Sequence, residues 1–276
     1  MGRGLLFGTA GTPISSKGND SISGIKRVKE LGLGCMELEF VRGVKMGEET
    51  AREVKGITKE LDIKLSVHAP YYINLNGIGE SLVKSRERIL NSARIGNICG
   101  AKSVVVHAAS YQNGNPAAVY EKIKNELTGI CEQLKTESVD VTLRIETMGR
   151  KSQFGSLEEA LAITEVDGVL PCIDFSHLHA RSGGNNSHDE FAAILGKVEE
   201  KLGRKGLDNM HIHVSGIEYS EKGEKRHLEF EDSDFKYQEL AAAFSEFDIK
   251  GMVISESPNL ETDAMKLKKE YELNLK

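Results

Sequence analysis

The feature that most constrains the fold is an alternation of short apolar runs with longer amphipathic runs along the whole 276-residue chain. The apolar runs are rich in Val, Ile and Leu, which is typical of strands covered on both faces. They are LLFGTA, CMELEFV, KLSVHA, KSVVVHAA, VTLRIET, LPCIDFSH, MHIHVSG and GMVISES. Eight strand–helix alternations in about 250 residues predict an α/β fold, a (β/α)8 barrel formed by a single domain over residues 1–276.

The stretches between the predicted strands have the periodicity of helices. In residues 115–135, apolar side chains recur every three or four positions, at Val119, Ile123, Leu127, Ile130 and Leu134. Pro116 suits the first turn of that helix. A doubly wound sheet is the alternative, but GTAGTP lacks the glycine spacing of a phosphate-binding loop. RSGGNNSHDE and YSEKGEKRHLEFEDSD are predicted to be long loops after strands six and seven.

Composition limits the classes of protein to consider. No apolar run approaches the roughly 20 residues of a membrane span, and the N-terminus resembles neither a signal peptide nor a myristoylation motif. The net charge of -6 argues against nucleic acid as a partner unless a specific site provides for it. The cysteines form no CxxC pair, so we expect buried, reduced thiols in a cytoplasmic protein; they are Cys35, Cys99, Cys131 and Cys172. We also expect the protein to be a monomer.

Potential metal ligands recur at the C-terminal ends of the predicted strands. Enzymes with a (β/α)8 barrel have their active sites at this face. The potential ligands are His68, His107, Glu146, Asp174, His177, His213 and Glu256, and the loop after strand seven adds His227. A single histidine at the end of a strand is ordinarily a packing residue. We expect no functional role for His179 and His188. Carboxylates crowded at one mouth, however, repel each other unless cations neutralise them. These residues outnumber the ligands that a single ion needs. Their mixture of nitrogen and oxygen ligand atoms favours zinc, with manganese or iron as alternatives.

The order of these residues resembles the endonuclease IV family of class II apurinic/apyrimidinic endonucleases. The similarity runs from strand two to strand eight. VHAPYYINL is similar to the family's histidine followed by YLINL, and CIDFSHLHA to its CIDTCHAFA. IET, MHIHVSG, KRH and ISESP are similar to the family's IENTA, MHLND, DRH and LETIN. The opening segment and the HVSG ending of strand seven depart from the family pattern.

The resemblance implies a trinuclear zinc centre and residue roles. His68, His107 and Glu146 would hold the first ion, and Glu146 would bridge to a second. Asp174, His213 and Glu256 would complete the second, and His177 and His227 would belong to the third. The family takes an aspartate two residues before the loop histidine, where this chain has Lys225. We expect Glu224 to replace it, because a protonated lysine cannot bind a cation.

The activity implied by the resemblance is hydrolysis of the phosphodiester on the 5′ side of an abasic site in double-stranded DNA, with Glu146 as the catalytic residue. Tyr71, Tyr72 and, by a looser match, Arg42 would contact the DNA. A single-metal sugar isomerase or epimerase is the first alternative, since Glu146, Asp174, His213 and Glu256 alone would serve it. A non-catalytic binding barrel is the second. We expect about three ions for the nuclease, one for the isomerase and none for the binding barrel.

Overall fold

The computed structural model describes residues 4–275 and contains a closed barrel of eight parallel strands. In chain order the described strands are β1 (Leu5–Ala10), β2 (Cys35–Glu39), β3 (Lys64–His68), β4 (Ser103–Val106), β5 (Thr142–Glu146), β6 (Val169–Asp174), β7 (Met210–Val214), β8 (Gly216–Ser220), β9 (Gly223–Leu228) and β10 (Gly251–Ser255). All belong to the barrel except β8 and β9, which form a separate two-stranded sheet. Each barrel strand pairs with the next in the chain, except that β10 follows β7 and closes the barrel on β1. The predicted (β/α)8 fold is therefore confirmed.

Helices between the strands surround the barrel. They are α1 (Ser21–Glu30), α2 (Glu48–Leu61), α3 (Gly79–Cys99), α4 (Pro116–Thr136), α5 (Leu157–Ala162), α6 (Phe175–Ser182), α7 (His188–Leu202), α8 (Arg204–Leu207), α9 (Tyr237–Glu246) and α10 (Glu261–Asn274). In α4 the five predicted apolar positions are all buried, and Asn115 caps the helix by accepting hydrogen bonds from the N–H groups of Ala117 and Ala118. Within residues 4–275, no helix has the length and apolar character to cross a membrane.

Two predicted boundaries were wrong in ways that affect the site. Strand β6 ends at Asp174, so His177 lies in the first turn of α6 rather than on a strand. The Asp174 side chain accepts a hydrogen bond from the His177 N–H at 2.7 Å, which caps the helix and ends the strand there. The predicted loop after strand seven is largely an antiparallel hairpin, β8–β9, whose turn has Gly223 at φ +98°.

The barrel interior is polar along part of its axis. Glu37 on β2 contacts His211 and His213 on β7, although β1 and β10 separate these strands around the barrel wall. The contacts must therefore cross the barrel interior. The apolar core lies mainly between strands and helices, where Phe175, for example, packs against aromatic side chains of α7 and α9. The four cysteines are buried and free, as predicted.

Candidate metal centre

The predicted donor residues meet at the C-terminal mouth of the barrel. Parallel strands in register bring their carboxyl ends to one face, so side chains distant in sequence become neighbours. Four donors are on the strands they were assigned to, and two follow a strand directly; these are His68, Glu146, Asp174 and His213, and then His107 and Glu256. His213 precedes the last residue of β7. The remaining donors come from α6 and from the hairpin.

The first group of donors contains His68, His107 and Glu146. Glu146 is fully buried, and its Oε2 lies 2.8 Å from His107 Nε2 and 3.3 Å from His68 Nε2. One ligand atom from each residue lies within 4.8 Å of the other two. Two histidine nitrogens and a carboxylate are a donor set that zinc accepts, with a further position open to water or substrate.

The second group shares Glu146 with the first and adds Asp174, His213 and Glu256. His213 Nδ1 lies 3.4 Å from Glu146 Oε1 and 3.4 Å from Glu256 Oε1. Glu146 thus directs one oxygen toward each group. A carboxylate in that position can bridge two cations while neutralising part of their mutual repulsion.

The third group contains His177, Glu224 and His227. The Nε2 atoms of the two histidines are 3.3 Å apart, and His177 Nε2 is 3.5 Å from Glu224 Oε2. A β-bulge brings Glu224, and not Lys225, close to His177: Glu218 pairs with Arg226 and the next residue, Tyr219, pairs with Glu224, so Lys225 is the extra residue. A bulge re-aims side chains, and Lys225 instead forms an ion pair with Glu218 at 3.1 Å.

Glycines allow the hairpin to approach the loop after β5. A Cβ on Gly149 would lie 2.6 Å from the Cβ of Glu224 and 3.2 Å from His177 Cδ2. A Cβ on Gly223 would lie 2.1 Å from the Gly149 carbonyl oxygen. Larger residues at these two positions would separate Glu224 from the two histidines of its group.

A contact at the other ring nitrogen orients three of the histidine side chains toward these groups. In three of the histidines, Nδ1 lies near a backbone carbonyl oxygen, which leaves Nε2 directed at the donor group. The pairs are His68 with Ala69 at 2.7 Å, His177 with Thr147 at 3.0 Å and His227 with Glu256 at 3.2 Å. Such acceptors fix the tautomer and ring angle of metal-binding histidines.

Unpaired buried atoms provide a test of whether cations fit. Glu146 Oε1, Asp174 Oδ2 and His213 Nδ1 are buried and make no well-formed hydrogen bond among the described residues, although imidazole and carboxylate atoms lie 3.2–3.4 Å from them. Buried polar atoms are nearly always paired. Burial raises the pKa of Asp174 to about 6, although the charge of His177 opposes the shift. The donor types and the unpaired atoms together fit divalent cations at the mouth.

A buried polar network around Glu37 lies below the mouth and was not predicted from the sequence. Glu37 is fully buried; its Oε1 lies 2.9 Å from His213 Nε2, and its Oε2 lies 3.0 Å from His211 Nε2 and accepts a hydrogen bond from Ser66 at 2.6 Å. Burial opposes ionisation of Glu37, but the charges and hydrogen bonds of His213 and His211 hold its pKa well below the usual value. The signal was available: CMELEFV has two glutamates at alternate positions of an apolar strand.

Two other buried groups near the mouth do not extend the donor set. The second glutamate of β2, Glu39, is partly buried, and burial raises its pKa to about 8. Cys172 forms a further cluster with His211 and His213, but burial raises the pKa of its thiol. A protonated thiol is a poor metal ligand. We therefore interpret the cluster of Cys172, His211 and His213 as part of the contacts around Glu37 and not as a further metal site.

A pocket of about 540 Å³ opens over the donor groups, and its lining includes Tyr71, His107, Arg150 and His227. The Tyr71 ring stacks on His107 with centroids 5.2 Å apart. Tyr72 is 54% exposed outside the pocket lining, and the Arg88 guanidinium lies 5.4 Å from its ring centroid. Arg42 is exposed in the loop after β2 and does not line the pocket.

The two histidines that were given no role lie outside the donor groups. His179 Nε2 lies 3.1 Å from Asp234 Oδ1, and His188 Nε2 lies 2.9 Å from Glu246 Oε2. Each has an acidic partner that accounts for its position. Neither shares a group of donor atoms with the residues at the mouth.

Sequence comparisons connect the chain to one family. Residues 25–273 match the family described as the xylose isomerase-like TIM barrel. An uncharacterized protein of Methanocaldococcus jannaschii is 44% identical over 269 residues, which cover 97% of each chain. The probable endonuclease 4 of Geobacillus sp. (strain WCH70) is 29% identical over 160 residues, 55% of this chain and 52% of that relative. The match thus spans about half the length of the endonuclease relative.

Two solved structures share the fold to the same degree. The endonuclease IV of Thermus thermophilus has a TM-score of 0.73 at 16% identity, covering 97% of this chain and 98% of that one. A D-tagatose 3-epimerase-like protein has a TM-score of 0.73 at 18% identity, covering 99% and 98%. At these identities the likeness shows the barrel fold and does not distinguish between the two chemistries.

Proposed function

Because the chain belongs to the xylose isomerase-like TIM-barrel family, we propose that it is a metal-dependent phosphodiesterase that cleaves double-stranded DNA on the 5′ side of an abasic site during base excision repair. Zinc is the proposed metal, and the three donor groups would each hold one ion. The partial likeness to a protein named probable endonuclease 4 supports this choice.

The observation that carries the proposal is the third donor group. A single-metal isomerase would need only Glu146, Asp174, His213 and Glu256. The cluster of His177, Glu224 and His227, with His177 Nε2 3.3 Å from His227 Nε2, would then have no role. His68 and His107, both directed at Glu146, would also be unexplained.

The protein residues would hold and orient the reacting groups. When bound, divalent ions polarise phosphoryl oxygens, lower the pKa of water and offset charge on the leaving oxygen. Glu146 is the proposed catalytic residue because its two oxygens face different donor groups. Tyr71 covers one side of the pocket by stacking on His107. Arg150 lines the pocket with an exposed side chain and, within the described chain, no acidic group within 4.0 Å, so its guanidinium can bind a phosphate.

The surface beside the pocket offers contacts for DNA. Tyr72 presents an exposed ring that can stack in the gap left by the missing base. Flipping an abasic sugar requires little energy, because no base must be unstacked or unpaired. The net charge of -6 does not preclude binding, since cations at the mouth and the exposed side chains of Lys225 and Arg226 would make this face more positive.

A single-metal sugar epimerase is the second candidate. One observation favours it: the group around His213 has two glutamates, an aspartate and a histidine, and is complete without the other groups. The solved epimerase-like structure is as similar in fold as the endonuclease IV structure.

The test is a nicking assay on a labelled duplex with one abasic site. The proposal predicts a single nick 5′ to the site, a new 3′ hydroxyl, and loss of activity after prolonged EDTA treatment. Glu146→Gln should reduce the rate by more than about 100-fold without unfolding the barrel. An undamaged duplex is the substrate control. An intact abasic duplex together with epimerisation of a ketohexose would instead establish the second candidate.

A further inference from the structure

A second cavity lies at the opposite end of the barrel from the donor groups. It has a volume of about 810 Å³, compared with about 540 Å³ for the pocket at the mouth. Six barrel strands, β1, β3, β4, β5, β7 and β10, contribute to its lining, together with the C-terminal part of α2. Cavities of this size accommodate small-molecule ligands.

The lining of this cavity is basic, although the chain as a whole has a net charge of -6. Two aspartates line it, Asp62 and Asp208, against six cationic side chains. The cations are Lys55, Lys59, Lys64, Lys102, Lys250 and Arg144. A concave surface lined by one sign of charge concentrates ligands of the opposite sign.

Ion pairs account for only part of this positive charge. Lys250 lies 3.0 Å from Asp208, Lys64 lies 4.0 Å from Asp62, and Lys102 pairs with Asp140. For Lys55 and Lys59, no acidic group within residues 4–275 lies within 4.0 Å of the ammonium. These two lysines are one helical turn apart on α2, so both can contact one ligand.

Arg144 is the most unusual cation of the lining because it is only 4% exposed. Its guanidinium donates to Ser103 Oγ at 3.1 Å and to Asn209 Oδ1 at 2.9 Å, as well as to backbone carbonyls. In the described part of the chain, no carboxylate lies within 4.0 Å of it. Burial lowers its pKa to about 10. Buried charges are nearly always paired, so a bound anion would supply the partner that the protein lacks.

Part of the remaining lining is apolar, with side chains that include Leu6, Ile63, Met210 and Met252. An anion with an apolar or aromatic part would fit both the cationic and the apolar side chains of the lining. We propose that this cavity binds a nucleoside phosphate, with its phosphates on the lysines and Arg144 and its base against the apolar side chains. This site is separate from the metal centre and does not depend on the proposed nuclease activity.

The test is calorimetric titration of the full chain with adenosine diphosphate, with pyrophosphate and adenosine as partial ligands. We expect saturable binding of adenosine diphosphate that weakens as salt is added, weaker binding of pyrophosphate and the weakest binding of adenosine. The variant Lys55→Glu/Lys59→Glu should weaken diphosphate binding by about tenfold or more. Lys26→Glu, which reverses one exposed charge on α1, is the charge control and should change it less than about twofold.

Phosphates can also bind metal ions, so a second control separates the two ends of the barrel. Glu146→Gln alters the metal centre and should leave diphosphate binding unchanged. Binding that Glu146→Gln abolishes and the lysine pair does not affect would overturn the proposal. Absence of saturable binding to the wild-type protein would also overturn it. Arg144→Met, with thermal unfolding as a folding check, should reproduce the effect of the lysine variant.

Discussion

Replacing Glu37 by Gln tests whether the buried network below the mouth positions a metal ligand. The two side chains have nearly the same shape, but the amide carries no charge and has only one acceptor oxygen. In the structure, Glu37 Oε1 contacts His213 Nε2 at 2.9 Å while Oε2 contacts His211 Nε2 at 3.0 Å. An amide oxygen can accept from one imidazole, and its NH2 group would then face the other.

The expected loss follows from what Glu37 does to His213. Nε2 of His213 lies 2.9 Å from Glu37 Oε1, and Nδ1 is directed at Glu146 and Glu256, 3.4 Å from an oxygen of each. Loss of an outer contact of this kind typically weakens metal binding by about 10- to 100-fold, which corresponds to about 1.4–2.8 kcal/mol. His211 cannot substitute, because burial lowers its pKa to about 4 and it remains a neutral ring held by the same carboxylate.

Competition with a chromophoric zinc chelator measures the change, and Glu39→Gln is the matched control on the same strand. Burial raises the pKa of Glu39 to about 8, so this carboxyl is mainly protonated at pH 7 before metal binds, and the amide changes its charge little. We expect Glu37→Gln to lose affinity and Glu39→Gln to stay within about threefold of wild type. Equal losses in both variants, or none for Glu37→Gln, would refute the positioning role.

Four further predictions concern the third donor group, DNA contact, pH and stability. Glu224→Gln should lose about one ion per chain by metal analysis and keep the other two; an unchanged metal content would exclude Glu224 as a ligand. Tyr72→Ala should weaken binding to abasic DNA by about 1–3 kcal/mol, whereas Leu273→Ala, also at an exposed apolar side chain, should not, and equal affinities would leave Tyr72 without a DNA role. Burial opposes protonation of His68, but the hydrogen bond and the charge of Glu146 outweigh it and raise the pKa of His68 to about 9. A cation must displace that proton, so metal affinity should rise by about tenfold per pH unit from pH 6 to 8, and a flat profile would contradict this. Phe175→Ala removes a buried ring packed 5.7 Å from Phe191 and 5.5 Å from Phe244 (centroid distances), and should reduce the free energy of unfolding by about 3–5 kcal/mol in urea titrations; a loss below about 1 kcal/mol would contradict the packing argument.

The barrel could be predicted from sequence because its signal is local. Each strand is a short apolar run between amphipathic helices, and all eight were located. The predicted end of strand six was wrong because Asp174, a candidate donor at the mouth, also caps α6. An aspartate three residues before His177 could have indicated a helix start.

The hairpin and the buried network were harder to predict because they depend on contacts between distant segments. The sequence places Lys225 where the family has an aspartate, and only the bulge at Lys225 shows how Glu224 reaches His177. Glu37 was read as part of an apolar strand, since a single strand does not reveal that β7 lies across the barrel from it. Contacts through a barrel interior join strands that are far apart in sequence, and local periodicity carries no information about them.

The number of ions bound per chain is the decisive measurement, because three donor groups distinguish the proposed nuclease from a single-metal epimerase. Native mass spectrometry of the zinc-loaded protein, with elemental analysis, measures that number. We expect three divalent ions in the wild-type chain and marked loss in Glu146→Gln, since Glu146 belongs to two groups. A single ion in the wild-type chain, unaffected by Glu224→Gln, would contradict the proposed nuclease.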